Sequence, residues 1–332
     1  MIVSFDAIAL NIPPYEITTP ILNEVISISQ KLGAIDALML ERPPARLRKE
    51  NRIKTLQASL AIEGNTLSLE QVTALLERKR VLGPQKDILE VQNAIKAYDQ
   101  LTQFDPFDTK AMLEAHGLLM KGLIDRAGEF RTGNEGIVKG SKVTHLAPPA
   151  HLVPGLIDNL ITYAREHTDP SLIKSCVFHY ELEFIHPFAD GNGRIGRLWQ
   201  TLLLMPYNPV FQYLPIEQTI KNAQAEYYES LSASDKAGNC TVFIEFMLHM
   251  IRLALNDLLN NQKAHHTASD RINLFEQRLH KDRFTRKDYL AAFKTISTAT
   301  ASRDLKMAVA QGIIEKSGDK RTTVYRYKKG RS

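Results

Sequence analysis

The run His186-Pro-Phe-Ala-Asp190-Gly191-Asn192-Gly193-Arg194-Ile195-Gly196-Arg197 decides how this chain is read. Within twelve residues it holds an imidazole, a carboxylate, three glycines, an asparagine and two arginines. A Gly-Asn-Gly turn entering a helix leaves backbone N–H groups aimed at one point, where the helix dipole favours an anion. Arg194 and Arg197, three apart, lean over the same point, and arginine holds phosphate through paired, permanently charged donors. Asp190 is a hard oxygen ligand suited to Mg²⁺ carried on phosphates. His186 takes a proton near neutral pH. Packing alone does not call for this set.

The glycines Gly191-x-Gly193-x-x-Gly196 also fit the dinucleotide-binding fingerprint, with Glu217 about 20 residues on. That fingerprint needs a buried strand before it and a βαβ rhythm around it. Leu172, Ile173, Cys176, Val177, Tyr180 and Phe184 instead mark a helical stripe upstream. The rest of the chain has no strands alternating with helices, and no Lys-Ser/Thr follows the glycines as a Walker loop requires.

Outward from the motif, helical spacing covers residues 21–39, 51–62, 68–76, 87–101, 109–123, 152–165, 171–185, 194–204, 217–232 and 241–259. Residues 128–149 are rich in Gly, Thr, Val and Pro and read as a hairpin. The polar segment 260–269 reads as a linker. Beyond it come helical stretches at 271–280, 286–293 and 297–311, then a hairpin over 313–327. The 332 residues carry a net charge of +5, but residues 268–332 hold 16 Lys and Arg against 7 Asp and Glu. The rest of the chain is therefore net acidic, and the basic character belongs to one module. No apolar run reaches the ~18 residues of a membrane span. No secretory leader is evident, and Cys176 and Cys240 lie in apolar surroundings without C-x-x-C spacing. A cytoplasmic protein is expected. His145, His151, His265 and His266 lack the spacing of a metal site.

At every fixed position, the central run resembles the Fic motif, His-x-Phe-x-Asp/Glu-Gly-Asn-Gly-Arg-x-x-Arg. The resemblance implies a mainly α fold: a helical Fic core with a short β-hairpin flap, here followed by a C-terminal winged helix-turn-helix domain. The implied domains are an N-terminal helical region 1–104, a catalytic core 105–259, the linker 260–269 and a winged helix over 270–332. The implied activity is transfer of AMP from ATP to a Ser, Thr or Tyr hydroxyl of a target protein, with His186 as base. Mg²⁺ would sit on Asp190, and residues 190–197, including Ile195 and Gly196, would line the ATP site.

Ser59-Leu-Ala-Ile-Glu63-Gly64-Asn65 resembles the family's inhibitory motif, which implies that Glu63 pairs with Arg197 and spoils ATP alignment, with Ser59 and Gly64 completing the brake. The flap is expected to dock the target by β-augmentation, with Val138, Lys139, Gly140 and Ser141 near the nucleotide. Tyr227 and Tyr228 resemble the adenosine-lining pair, and Asp235 falls where a polar ribose or adenine contact would. Auto-modification and a homodimer are further expectations of the family. Two other readings stay open: a nucleotide-sensing regulator that binds DNA through 270–332, and a hydrolase in which Glu63 positions water to remove AMP.

Overall fold

The computed structural model describes residues 14–37, 45–133, 136–139, 142–262, 268–278, 283–293, 296–319 and 322–328, with side chains left undescribed at 136–139, 142–146, 261–262 and 277–278. The chain divides into two compact units, Met1–Asn256 and Asp257–Ser332. Among the described residues no helix is long and apolar enough to cross a membrane.

The elements in chain order are α1 (Thr19–Ala37), α2 (Ala45–Ile62), α3 (Leu69–Leu76), α4 (Gln85–Asp99), α5 (Thr109–Met120), β1 (Gly136–Lys139), β2 (Lys142–Leu146), α6 (Val153–Glu166), α7 (Ser171–Ile185), α8 (Asn192–Leu204), α9 (Ile216–Asn222), α10 (Gln224–Ala237), α11 (Thr241–Gln262), α12 (Ala268–Arg278), α13 (Arg286–Ala292), α14 (Thr298–Ala310), β3 (Ile314–Ser317) and β4 (Val324–Tyr327). In the first unit, α7 and α8 form the central antiparallel pair. Every residue of α8 except Gly193 is buried. That is the pattern of a helix enclosed on all sides, here with two arginines inside it. Phe178, Leu198, Trp199, Phe243 and Met247 fill the core around it. α1 is tied to α11 where Glu24 meets His249 Nδ1 at 2.9 Å and Arg252 Nε at 2.5 Å.

α2 starts six residues earlier than the apolar spacing indicates, because Ala45–Glu50 are good helix formers and Arg46 pairs with Glu50 across one turn. It ends in a Schellman arrangement: Gly64 has φ +92, and Asn65 N donates to Leu60 O at 3.1 Å. α5 stops at Met120, since Lys121 turns to ψ 117 and Gly122 has positive φ. The stretch 217–232, expected as one helix, breaks at Ala223, whose φ is −118. The break re-aims α10 so that Gln224 Nε2 and Tyr228 OH both donate to Ile62 O, at 2.9 and 3.2 Å. Tertiary bonds to the end of α2 thus override a continuous helical pattern.

β1 and β2 pair antiparallel with a register shift between Ile137 and Val138. β2 runs beside α10. The second unit contains α12–α14 and the antiparallel hairpin β3–β4, and Phe284 adds one bridge to Tyr325. Its core is Ile272, Phe275, Phe284, Tyr289, Ala301, Leu305, Ala308 and Ile314. Ser297 Oγ caps α14 by accepting from Thr300 N at 3.1 Å. Asp304, 2% exposed, accepts from Arg271 Nε and Nη2 at 2.7 and 2.8 Å and from Tyr289 OH at 3.1 Å. Removing one partner of such a pair leaves a buried charge unmatched and costs about 3–5 kcal/mol. Asp304→Ala is therefore expected to speed amide exchange throughout α12, α13 and α14 while peptides from α7 and α8 keep their protection; hydrogen-exchange mass spectrometry of the full chain checks this.

Candidate active site

α7 ends at His186, which adopts the left-handed conformation, φ 50 and ψ 60. This is uncommon for a residue with a Cβ and costs on the order of 1–3 kcal/mol. The kink turns the chain into the loop that precedes α8, and His186 lines the cavity there. Arg131, 5% exposed, holds the kink. Its Nε donates to His186 O at 2.7 Å, its other nitrogens to the carbonyls of Gly133, Pro148 and Ile185, and its backbone N to Pro187 O. One guanidinium so ties both feet of the β1–β2 hairpin to the His186 turn.

Below the loop, His116 stacks on Phe188 with centroids 3.7 Å apart. Its Nδ1 accepts from Gly128 N and its Nε2 faces Asp190 O, both at 2.9 Å. The first bond requires an unprotonated Nδ1, so the proton sits on Nε2 and is given to Asp190 O. Burial and the neighbouring Arg194 push the His116 pKa down to about 4, against the smaller opposing pull of Asp190. Gly191, the N-cap of α8, has φ +89, and a Cβ there would strike Met120 Sδ. Asn192 closes the loop by accepting from Phe188 N and donating to Phe188 O.

Helix geometry leaves the N–H groups of Asn192, Gly193 and Arg194 without intrahelical acceptors, while Ile195 N already donates to Gly191 O. Glu63 is the carboxylate at this helix end. A Cβ on Gly193 would collide with Glu63 Oε1, so the glycine makes room for it. Glu63 Oε1 accepts from Arg197 Nη2 at 2.7 Å, and Ser59 takes the same guanidinium on Oγ at 3.2 Å and on its carbonyl at 2.9 Å. Arg197 is 2% exposed. Burial lowers its pKa, the adjoining Glu63 more than offsets this, and the group stays charged. Arg194 bonds Asp190 Oδ1 at 2.9 Å, and Asp190 also accepts from Gly191 N.

Beside them lies a cavity of about 1020 Å³ lined by Glu63, His186, residues 189–193 and residues of α10. Glu183, also on its wall, is pushed up by burial, yet its pKa ends low because His179, His186 and Arg197 hold the carboxylate charged.

The structure brings Ser59, Glu63, His186, Asp190–Gly193, Arg194 and Arg197 into one place. Three further residues of the expected nucleotide site, Ile195, Gly196 and Tyr227, are buried. Ile195 is fully buried, and Gly196 packs on His179, which a Cβ would approach to 2.9 Å. Gly196 lies on the side of α8 turned toward α7. Tyr227 borders the cavity but is 1% exposed, with its hydroxyl on His179 Nε2 and Glu183. Tyr228, 40% exposed, is the ring open to a ligand. Asp235 lines the cavity and accepts from Tyr180 OH at 2.8 Å. Glu217 lies elsewhere, buried at the start of α9, with its pKa raised by burial to about 7. Val138 and Lys139 lie in β1, while Gly140 and Ser141 are outside the described residues. Sequence patterns missed His116, Arg131 and Glu90, since each sits in a stretch whose spacing signals only helix or turn.

His186 on the cavity wall and the N-terminus of α8, with Arg194 and Arg197 on that helix, form one site on an α-helical scaffold. Residues 106–204 match the Fic/DOC family. A Fic family protein of known crystal structure from Desulfovibrio desulfuricans G20 is 40% identical, with 96% of this chain and 99% of that one aligned at a TM-score of 0.73. The chain belongs to the Fic family. It is also 30% identical over 244 residues to protein adenylyltransferase fic-1 of Caenorhabditis elegans, covering 68% of this chain and 44% of that protein. Protein adenylyltransferase Fic of Drosophila virilis is 30% identical over 243 residues, covering 67% and 46%. The chain thus spans less than half the length of these relatives.

The neutral His116 generates a pH prediction. Its folded pKa of about 4 lies below the ordinary 6.5, so between those values the unfolded chain binds the proton and the folded chain does not. Its contribution is complete above about pH 6.5 and is lost as pH falls toward 4, by on the order of 3 kcal/mol. His116→Asn should flatten this part of the stability–pH curve, as measured by denaturant unfolding at a series of pH values.

Proposed function

We propose that the protein transfers AMP from ATP to a hydroxyl side chain of a target protein and is held at rest by Glu63. The observation that carries this reading is the Glu63–Arg197 pair at 2.7 Å, set against the N-terminus of α8 beside His186. ATP enters as the cavity's polyphosphate ligand, its triphosphate over Asn192–Arg194 and its base toward Tyr228. Arg197 cannot serve both the terminal phosphates and Glu63. While Glu63 is in place the triphosphate is displaced, and the α-phosphorus is not in line with an attacking oxygen.

With Glu63 swung aside, His186 accepts the proton of the target hydroxyl. That oxygen bonds to the α-phosphorus, the bond from the α-phosphorus to the oxygen bridging to the β-phosphate breaks, and pyrophosphate leaves. Such transfers depend on positioning and charge stabilisation more than on covalent help from the protein. Arg194, Arg197 and the backbone donors of α8 provide both. The protonated imidazole stays beside Glu183, whose negative charge steadies it.

Asp190 fits Mg²⁺. Its side chain is 50% exposed on the cavity wall. Among the described residues no group of three or more His, Cys, Asp or Glu gathers into a metal cage. A single carboxylate with substrate phosphates suits this ion, which keeps several of its waters. When bound, Mg²⁺ would neutralise phosphate charge. The target segment would add as a strand to the β1–β2 hairpin, a mode that reads backbone more than side chains. Two buried, unpaired cysteines, Cys176 and Cys240, suit the reducing cytoplasm.

The second unit reads as a winged helix, with α14 as its recognition helix and β3–β4 as its wing. Arg303 and Lys306, both exposed and three apart on α14, suit contact with DNA phosphates.

Two outcomes follow. Glu63→Gly should raise incorporation of labelled AMP, into itself or lysate proteins, by tens of fold or more, as expected when the carboxylate competing for Arg197 is removed. Adding His186→Ala should abolish the signal; equal labelling of wild type and Glu63→Gly refutes the brake. For the second unit, the full chain should retard duplex DNA at low salt, and Arg303→Ala with Lys306→Ala should weaken binding and reduce its salt slope by about 2.

A further inference from the structure

The inhibitory segment makes a second set of contacts beyond Glu63. Asn65, 9% exposed, donates through Nδ2 to Glu90 Oε2 at 2.8 Å and to Asp87 O at 3.0 Å, and its Oδ1 accepts from Leu67 N at 3.1 Å. Thr66 N donates to Asp87 Oδ2 at 2.9 Å. The loop after α2 is thereby fastened to the first turns of α4. Glu90 is 7% exposed, and its other oxygen lies 3.4 Å from Arg194 Nη1. Its remaining ionic neighbour, Lys86, is 4.0 Å away on the solvent side. Arg194 is 4% exposed, and its Nε has no hydrogen-bond partner among the described residues.

Arg194 is therefore held along two edges by carboxylates of different kinds. Asp190 lies on the cavity rim, half exposed. Glu90 lies behind the arginine, in the protein. A phosphate chain with its cation would compete for Asp190 and for Nη2. Once Asp190 is engaged, the contact with Glu90 is what still fixes the plane of the guanidinium. Paired arginine–phosphate contacts depend on that plane, and a misplacement of about 1 Å can cost a factor of about 100.

We infer that Glu90, itself held by Asn65, is the positioning residue for Arg194. The loop that restrains the site through Glu63 thus also builds its phosphate clamp through Asn65. The inference rests on the AMP-transfer reading of the site. It implies that deleting the inhibitory segment is not equivalent to Glu63→Gly, because deletion removes the support together with the brake.

The test is a double-mutant cycle in the full-length Glu63→Gly protein. Glu90→Gln, which keeps the shape and loses the charge, is combined with Arg194→Lys, which keeps a charge and loses the planar fork. AMP transfer and ATP affinity by calorimetry are both read. Glu90→Gln should lower kcat by about tenfold to a hundredfold with Arg194 present, and by less than about twofold with Lys at that position. Asn65→Ala should reproduce a smaller part of the loss. Equal losses in both backgrounds, or an unchanged kcat for Glu90→Gln, overturn the inference, since a merely structural role weakens both alike. If Glu63→Gly binds ATP but transfers nothing, the transfer reading fails, and the same cycle read on ATP affinity still decides the coupling. If Glu63→Gly binds no ATP, both fail.

Discussion

The architecture depends on one buried cation. Arg197 lies inside α8, the most enclosed helix of the first unit, where an unmatched guanidinium would cost several kcal/mol. Its charge is met by Glu63 and by the hydroxyl and carbonyl of Ser59, all from the C-terminal turns of α2. The pairing therefore docks the end of α2 on the core. The end of α2 is secured a second time by α10, where Gln224 and Tyr228 take up the carbonyl of Ile62. On the proposed reading, stability and restraint are carried by the same contact, and relieving one disturbs the other.

Around that contact the site is assembled from backbone more than from side chains. A left-handed His186 and a left-handed Gly191 bracket the loop, and the N–H groups after it supply the positive end of a helix. The protein fixes this loop with groups that carry no chemistry of their own: neutral His116 underneath, Arg131 at the flap's feet, Asn192 across the turn. Arg131 donates to the carbonyl oxygens of His186, Gly133, Pro148 and Ile185, while Glu183 and Asp190 line the cavity. Both arginines at the phosphate end are engaged with carboxylates, Arg197 with Glu63 and Arg194 with Asp190 and Glu90.

Much of this was legible in the chain. Helical spacing located most of the helices, and Gly64 marked the end of α2 because only a residue without a Cβ accepts φ +92 at little cost. The motif from His186 to Arg197 was legible because its residue types serve chemistry that packing does not need. Other features were hidden. The break at Ala223 has no Gly or Pro to announce it and exists because α10 must reach Ile62. Ile195 and Gly196 lie within the motif yet serve the α7–α8 contact, and Tyr227 looks like Tyr228 in sequence while its hydroxyl is consumed by His179 and Glu183. Glu90 lies 104 positions from Arg194, His116 74 from Asp190 and Arg131 55 from His186, and no local pattern encodes a partner at that distance.

By itself the sequence determined which residues are chemically equipped for a phosphate site and for its pairing with Glu63, since donor type, charge and glycine placement are properties of the chain at close range. The tertiary structure alone decided which carboxylate meets which arginine, which of two adjacent tyrosines is exposed, and that Glu90 stands behind Arg194. Those outcomes depend on desolvation and on the direction of side chains across packed helices. Both are set only when segments far apart in the chain are brought together around a buried charge.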